Sequence, residues 1–445
     1  MAITLGRRPL RRLIVAGAAI AATALALAGC SSGGGGSDGK VTITLVGDSG
    51  PANVITQKKI ISLFEKKHPN ITVKFEGANG VDAEQGSILR LGQGDTSLDV
   101  ATTEVGYEYQ WYKSGWIQSL TPYFTKAEIA KVDDHLIANE TFNKQLLAIP
   151  VDNSTMYLAV NEDLLKQAGI DGPPTLKADG LDATTSGVWT WEKVLQAAKT
   201  VHEKTGKTGI LFPNDETWIL APMAQQLGGF TSSPDGLKVK GILDSKAWVD
   251  LATRWKAFFA GGASQITNPE WTNDQFIAGD SAFQLTHIGG YAICADAKFT
   301  CDAAAQPYFE GGKKVVQSTG IAWALNAKSK HPKEAAEFMK FALLDEDAQK
   351  AFVDGNYFAA IPMLKSDLKA AESDPKYQEF PLQVRLLGMW QEQNWPQKPN
   401  VSPANATIFT SVSDAFQDVR VGAATPEDAV TTMTDKVDRE LNKFR

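Results

Sequence analysis

The 445-residue chain predicts a doubly wound α/β architecture. Three observations carry that prediction. Segments of alternating apolar and polar residues are interleaved with segments of helical periodicity, the spacing between them suits βαβ units, and acidic residues recur just past the strand ends. In "VTITLV", Val41, Ile43 and Leu45 alternate with threonines and predict a strand. From 54 to 67, Ile60, Ile61, Leu63 and Phe64 fall at helical spacing until His68-Pro69-Asn70 stops the run. "ITVKF" at 71–75 then alternates again, which closes a βαβ unit and implies a parallel sheet. A second unit follows, with a helix around 84–91, a strand at "DVATTE" (99–104) and a Tyr- and Trp-rich helix at 107–114. Sheets of this kind bind ligands at the carboxyl ends of their strands, where Asp48 and Glu104 fall.

Ahead of this body, Arg7, Arg8, Arg11 and Arg12 precede an uncharged apolar stretch that ends in Leu27-Ala28-Gly29-Cys30. That layout is a signal peptide over 1–29, and its apolar run falls short of a membrane span. The terminal tetrapeptide is similar to the bacterial lipobox, which implies cleavage before Cys30 and a diacylglycerol on its sulfur. The paired arginines leave Sec and Tat export both open. "SSGGGGSDG" (31–39) has no apolar residue and reads, with Cys30, as a flexible tether over 30–39. Removing the leader takes away four arginines and no acid, so the formal charge goes from −7 to −11. An acidic body argues against nucleic acid and anionic membrane surfaces as partners. Its length suits two domains. Besides Cys30 the chain has two cysteines, Cys294 and Cys301, and in an exported protein so close a pair is most simply a disulfide, with two free thiols as the alternative.

Gly47-Asp48-Ser49-Gly50 is the string that surrounds some serine nucleophiles, but its context denies it a base. No His or Asp suitable for a trypsin-like triad lies upstream. For an SGNH-type esterase, none of the five histidines has an Asp three positions before it, and neither Asn-Asp pair follows the required Gly. The loop therefore reads as a binding loop, and no enzyme activity is expected.

"LLAIPVDNSTMYLAVNEDLLKQAGIDGPP" (146–174) with "WTWEKVLQAAKTV" (189–201), "NDQFIAGDSAFQLTHIGGYA" (273–292) and "STGIAWALNAKSKHPKEAAEFMKFALLDEDAQKAFV" (318–353) resemble, in order and spacing, the family 1 extracellular solute-binding proteins, the maltose-binding-protein-like group. The likeness runs over nearly the whole mature chain. It implies a venus-flytrap fold of two α/β lobes, with crossings near 151–154, 302–310 and 344–347. The N-terminal lobe would be 40–151 plus 303–343, and the C-terminal lobe 152–302 plus 344–445. The implied function is closure on a ligand, followed by delivery to the permease of an ABC transporter. The lipid anchor would hold such a monomeric receptor at the outer face of the cytoplasmic membrane, and no cofactor or metal is called for.

Sugars require paired donors and acceptors plus an aromatic face, and the 11 tryptophans supply candidates. The resemblance places Trp218, Tyr291 (after Gly289 and Gly290), Tyr357, Trp390 and Trp395 at the ligand site of one lobe. It places Asp48 and Glu104 in strand-end loops of the other, and Asp152 and Asn153 at the crossing. Gly289-Gly290-Tyr291 departs from the family's Gly-Pro-Trp, which leaves stacking feasible and the sugar unspecified. Trp191, Trp248, Trp255 and Trp323 lie on helical or strand patterns and are expected in the core. Asp48 could instead bond its own turn, and His287 could be a packed histidine rather than a ligand group. The candidate loops at 47–53, 103–107 and 151–155 contain no Arg, which argues against a phosphate ester, and no Tyr-Tyr pair suggests iron. A polyamine is the principal alternative ligand, because carboxylates and aromatics also cage a cation. A lipid-anchored carbohydrate-active hydrolase is the other.

Overall fold

The computed structural model describes residues 40–77, 83–318, 320–355 and 361–445; the leader, the tether with Cys30, and Tyr357 lie outside them. Twelve strands occur among the described residues: β1 (Val41–Gly47), β2 (Ile71–Gly77), β3 (Val100–Glu104), β4 (Thr141–Phe142), β5 (Gln145–Leu146), β6 (Ala148–Pro150), β7 (Met156–Asn161), β8 (Thr208–Phe212), β9 (Ser264–Ile266), β10 (Ser281–His287), β11 (Cys301–Ala304) and β12 (Ile321–Leu325). They form two five-stranded sheets, ordered β2-β1-β3-β12-β6 and β11-β7-β10-β8-β9, and a small β4-β5 hairpin.

In the first sheet β1 runs parallel to β2 and β3, joined by the helix Pro51–Lys67 and then the helix Ala83–Gly92. Pro51 suits the first turn of its helix because its missing N–H has no intrahelical partner there. The helix buries Ile60, Ile61 and Phe64 against Ile43, Leu45 and Val73, so the 3.6-residue and 2-residue periods meet in one core. Trp323 is fully buried in the same core, its ring stacked on Phe338 at 5.4 Å. In the second sheet β8 is parallel to β9 and β10, while β7 runs antiparallel to β10 and β11. Its core buries Trp191, Trp248 and Trp255 completely, as their helical spacing predicted.

The chain passes from the first sheet to the second between β6 and β7, across Val151–Thr155. The two later crossings come further along the chain than expected. Ala303 and Ala304 pair with Ala159 and Leu158 in the second sheet, Phe309 packs in the second core, and the Val316 N–H still bonds the Trp395 carbonyl at 2.9 Å. The return to the first sheet is completed only at β12. The helix Glu346–Asp354 then stays with the first core through Ala348, Ala351 and Phe352, as do Met363 and Leu364. Ile361, just before them, already packs with the second lobe, and Leu368 and Ala371 follow, so the third crossing is spread over this stretch. The physical reason is local: "CDAA" has too little apolar alternation to advertise a strand, and only its pairing assigns it.

Candidate functional site

β8, β9 and β10 are mutually parallel and end at the same edge of the second sheet. Their carboxyl ends therefore deliver three neighbouring loops: 213–217 after β8, 267–273 after β9 and 288–292 after β10. β1 and β3 do the same in the first lobe with Asp48–Gly50 and Val105–Tyr107. Glu104 and Tyr107 from the first lobe, and Asn214, Glu216, Trp218, Glu270 and Phe409 from the second, line a cavity of about 420 Å³.

Three rings form its apolar part. Phe409, on the helix Asn405–Val421, meets Trp218 edge-on with centroids 4.7 Å apart, and meets Tyr107 at 5.0 Å. The start of the same helix is bound to the first lobe, where the Ala406 N–H donates to Gln110 Oε1 at 2.9 Å and Asn405 Nδ2 donates to the Gly106 carbonyl. Gly106 has φ +108, a conformation that side chains disfavour, and its N–H donates to Glu108 Oε2 at 2.7 Å. Burial pushes the Glu108 carboxyl up to about 8; bonds from its own N–H and that of Gly106 work against the shift, and neighbouring Glu104 adds to it.

The polar part is acidic. Among the described lining residues Arg420 is the one cation, and it grips Asp215 through Nε at 2.8 Å and Nη2 at 2.7 Å. Trp255 Nε1 donates to the same carboxylate at 2.8 Å. Asn214 is buried, its Oδ1 accepts from the Glu216 N–H at 3.1 Å, and its Nδ2 has no protein acceptor among the described residues. An amide donor, carboxylate acceptors and aromatic edges thus converge on one volume. Such a set matches a ligand with many hydroxyls and an apolar face.

Glu104 and Trp218 are the two expected residues that share this cavity. Asp152 and Asn153 lie buried at the first crossing and outside its lining. Burial, with Glu392 nearby, holds the Asp152 carboxyl well above the usual range. Asn153 sits beside His135 and Glu392. His135 Nδ1 is 2.7 Å from Asp133 Oδ1, and its Nε2 is 3.8 Å from Glu392 Oε2. Burial favours the neutral imidazole, but the Asp133 bond and the Glu392 charge outweigh it and raise the His135 pKa. Glu392 itself is pushed up to about 8, chiefly by burial.

Asp48 serves its own turn: its Oδ1 accepts from the Gly50 N–H at 2.7 Å and from Asn53 Nδ2 at 2.9 Å. Gly289 and Gly290 form the turn after β10, where the Gly290 carbonyl accepts from the buried Tyr157 hydroxyl at 2.9 Å. Tyr291 is half-buried, and the Arg385 guanidinium covers its ring at 4.9 Å. Trp390 and Trp395 pack edge-on at 4.7 Å, away from the cavity lining. Trp390 lines a different groove of about 460 Å³, and Trp395 lies under the Lys314 ammonium at 4.7 Å. Cys294 and Cys301 are joined by a disulfide, with Cα atoms 5.2 Å apart.

Tyr107, Asn214, Glu216, Glu270 and Phe409 escaped the sequence reading as site residues. Asn214 and Glu216 stand in the polar string before Trp218, which is a usable signal. Phe409 lies on the same stripe as Ile408, Val412 and Phe416 and is indistinguishable by pattern from core.

Residues 47–349 match the family described as bacterial extracellular solute-binding protein. A multiple sugar-binding protein of Streptococcus mutans is 24% identical over 362 residues, covering 75% of this chain and 79% of that one. An sn-glycerol-3-phosphate-binding periplasmic protein of Yersinia enterocolitica is 25% identical over 310 residues, covering 67% and 68%. Among solved structures, an ABC substrate-binding protein of Listeria monocytogenes in complex with cycloalternan superposes with a TM-score of 0.74 at 18% identity, over 91% of this chain and 99% of that one.

Proposed function

The chain belongs to the bacterial extracellular solute-binding proteins, and on that premise we propose that it captures a carbohydrate, an oligosaccharide, between its two lobes and hands it to an ABC importer. The observation that carries this reading is the cavity where Trp218, Phe409 and Tyr107 adjoin Asn214, Glu104 and Glu216. The rings offer a surface for the C–H face of a pyranose, and the carboxylates and amide offer hydroxyl partners. Hinge motion across the three crossings would open and close this volume, with the ligand favouring the closed state by its contacts to both lobes. Names of relatives support a sugar and also raise glycerol phosphate. The lining argues against a phosphate ester, because the one cation among its described residues is already committed to Asp215.

In this reading Cys30 carries the lipid, residues 31–39 are the tether, and the receptor works as a monomer at the outer face of the membrane without enzymatic turnover. The acidic lining also favours a polyamine, the second reading. Isothermal titration of the purified protein against mono- and oligosaccharides, spermidine and glycerol phosphate separates these. Saturable binding of a saccharide alone supports the sugar. Binding of spermidine with no saccharide response would transfer the function to polyamine capture.

A further inference from the structure

We propose that Trp271 is a stacking platform that extends the saccharide site beyond the cavity and gives the receptor its preference for chains of two or more rings. This rests on the carbohydrate reading above. Trp271 is 37% exposed, whereas Trp111, Trp191, Trp248, Trp255 and Trp323 are each less than 2% exposed. Its backbone has φ +60, a left-handed conformation that is unfavourable for a bulky residue and persists only where the surroundings impose it.

The surroundings do impose it. Trp271 stands in the loop after β9, at the edge of the second sheet where the strand ends face the site. Thr267 N–H donates to the Phe212 carbonyl at 2.9 Å, and Gln284 Nε2 donates to the Thr272 carbonyl at 3.0 Å and to Asn273 Oδ1 at 2.7 Å. These bonds hold both ends of the loop to β8 and β10. Glu270, the preceding residue, lines the cavity. The indole meets the His287 ring edge-on at 6.1 Å, which braces it on one side and leaves much of it open. A rigid, tilted, partly uncovered aromatic one residue outside a sugar-sized cavity offers its face to the ring that follows the one inside. A monosaccharide held by the cavity alone would gain nothing from it.

The test is isothermal titration of the wild type, Trp271→Ala and Trp271→Phe with the one- to four-ring members of the malto-, cello- and galacto-oligosaccharide series, with thermal unfolding of each variant alongside. The expected result is tenfold or greater weakening of the longer chains in Trp271→Ala, a monosaccharide affinity within twofold of wild type, and substantial recovery in Trp271→Phe. Equal loss at every length, or no loss at any, would overturn the platform while leaving the carbohydrate reading intact. A wild type silent to every saccharide would overturn both.

Discussion

The Phe409 ring of the second lobe lies 5.0 Å from the Tyr107 ring of the first, inclined at 50°. Phe409 also meets Trp218 at 4.7 Å, so one side chain joins the lobes and furnishes an apolar wall of the cavity. Its packing and binding roles can be separated experimentally. Phe409→Leu keeps most of the buried volume and should cost less than about 1.5 kcal/mol of stability. Loss of the aromatic face should weaken saccharide binding by about tenfold, the order of one aromatic contact. Unchanged affinity by titration would remove Phe409 from the site.

Glu392 gives a pH dependence whose sign is determined by its raised pKa. In the folded protein it titrates near 8, against an ordinary value of 4.5. Between those values the native state holds a proton that the unfolded chain releases, so this group's contribution is most favourable below 4.5 and declines as pH rises toward 8. Glu392→Gln should flatten the fall in Tm between pH 5 and pH 8. His135, whose pKa is also raised, pushes stability in the same direction, so parallel profiles for the two proteins would show that Glu392 does not hold its proton in the folded state.

The Cys294–Cys301 disulfide closes a short loop between the short helix Ile293–Asp296 and the start of β11. Replacing both with Ser should lower stability by roughly 2–3 kcal/mol through the freedom returned to the unfolded chain. Chemical denaturation measures it, and a change below about 0.5 kcal/mol would mean that the bridge constrains little.

Cys30→Ser tests the anchor without touching the site. If the cysteine carries the lipid, the variant should move from the membrane fraction to the soluble fraction while binding ligand with unaltered affinity. Retention in the membrane fraction would count against lipidation at Cys30.

Much of the first lobe was legible because its signals are local. Ile43 and Leu45 alternate, Ile60 and Phe64 recur at one helical face, and the two periods abut within a single βαβ unit. Glu104 could be placed because strand ends are where such sheets bind, and Trp218 because polar neighbours set it apart from the core tryptophans. The loop bearing Trp271 has equally polar neighbours, Glu270 before it and Thr272-Asn273-Asp274 after it, but no readable strand end to place it. It follows β9, an edge strand of three residues that is too short to show alternation. Trp390 and Trp395 pack on each other outside the cavity lining, and in the sequence aromatic content with polar flanks looks the same whether the rings face a ligand or each other.

By itself, the sequence determined the α/β class, the exported and acidic character expected of the mature chain, and the likeness to solute-binding proteins, because these depend on composition, periodicity and ordered motifs. Tertiary structure alone decided that β11 belongs to the second sheet, that Asp48 caps its own turn, and that Phe409 faces Tyr107 rather than only its own core. Those outcomes depend on which distant segments meet, and Tyr107 and Phe409 are brought together by packing that no local pattern encodes.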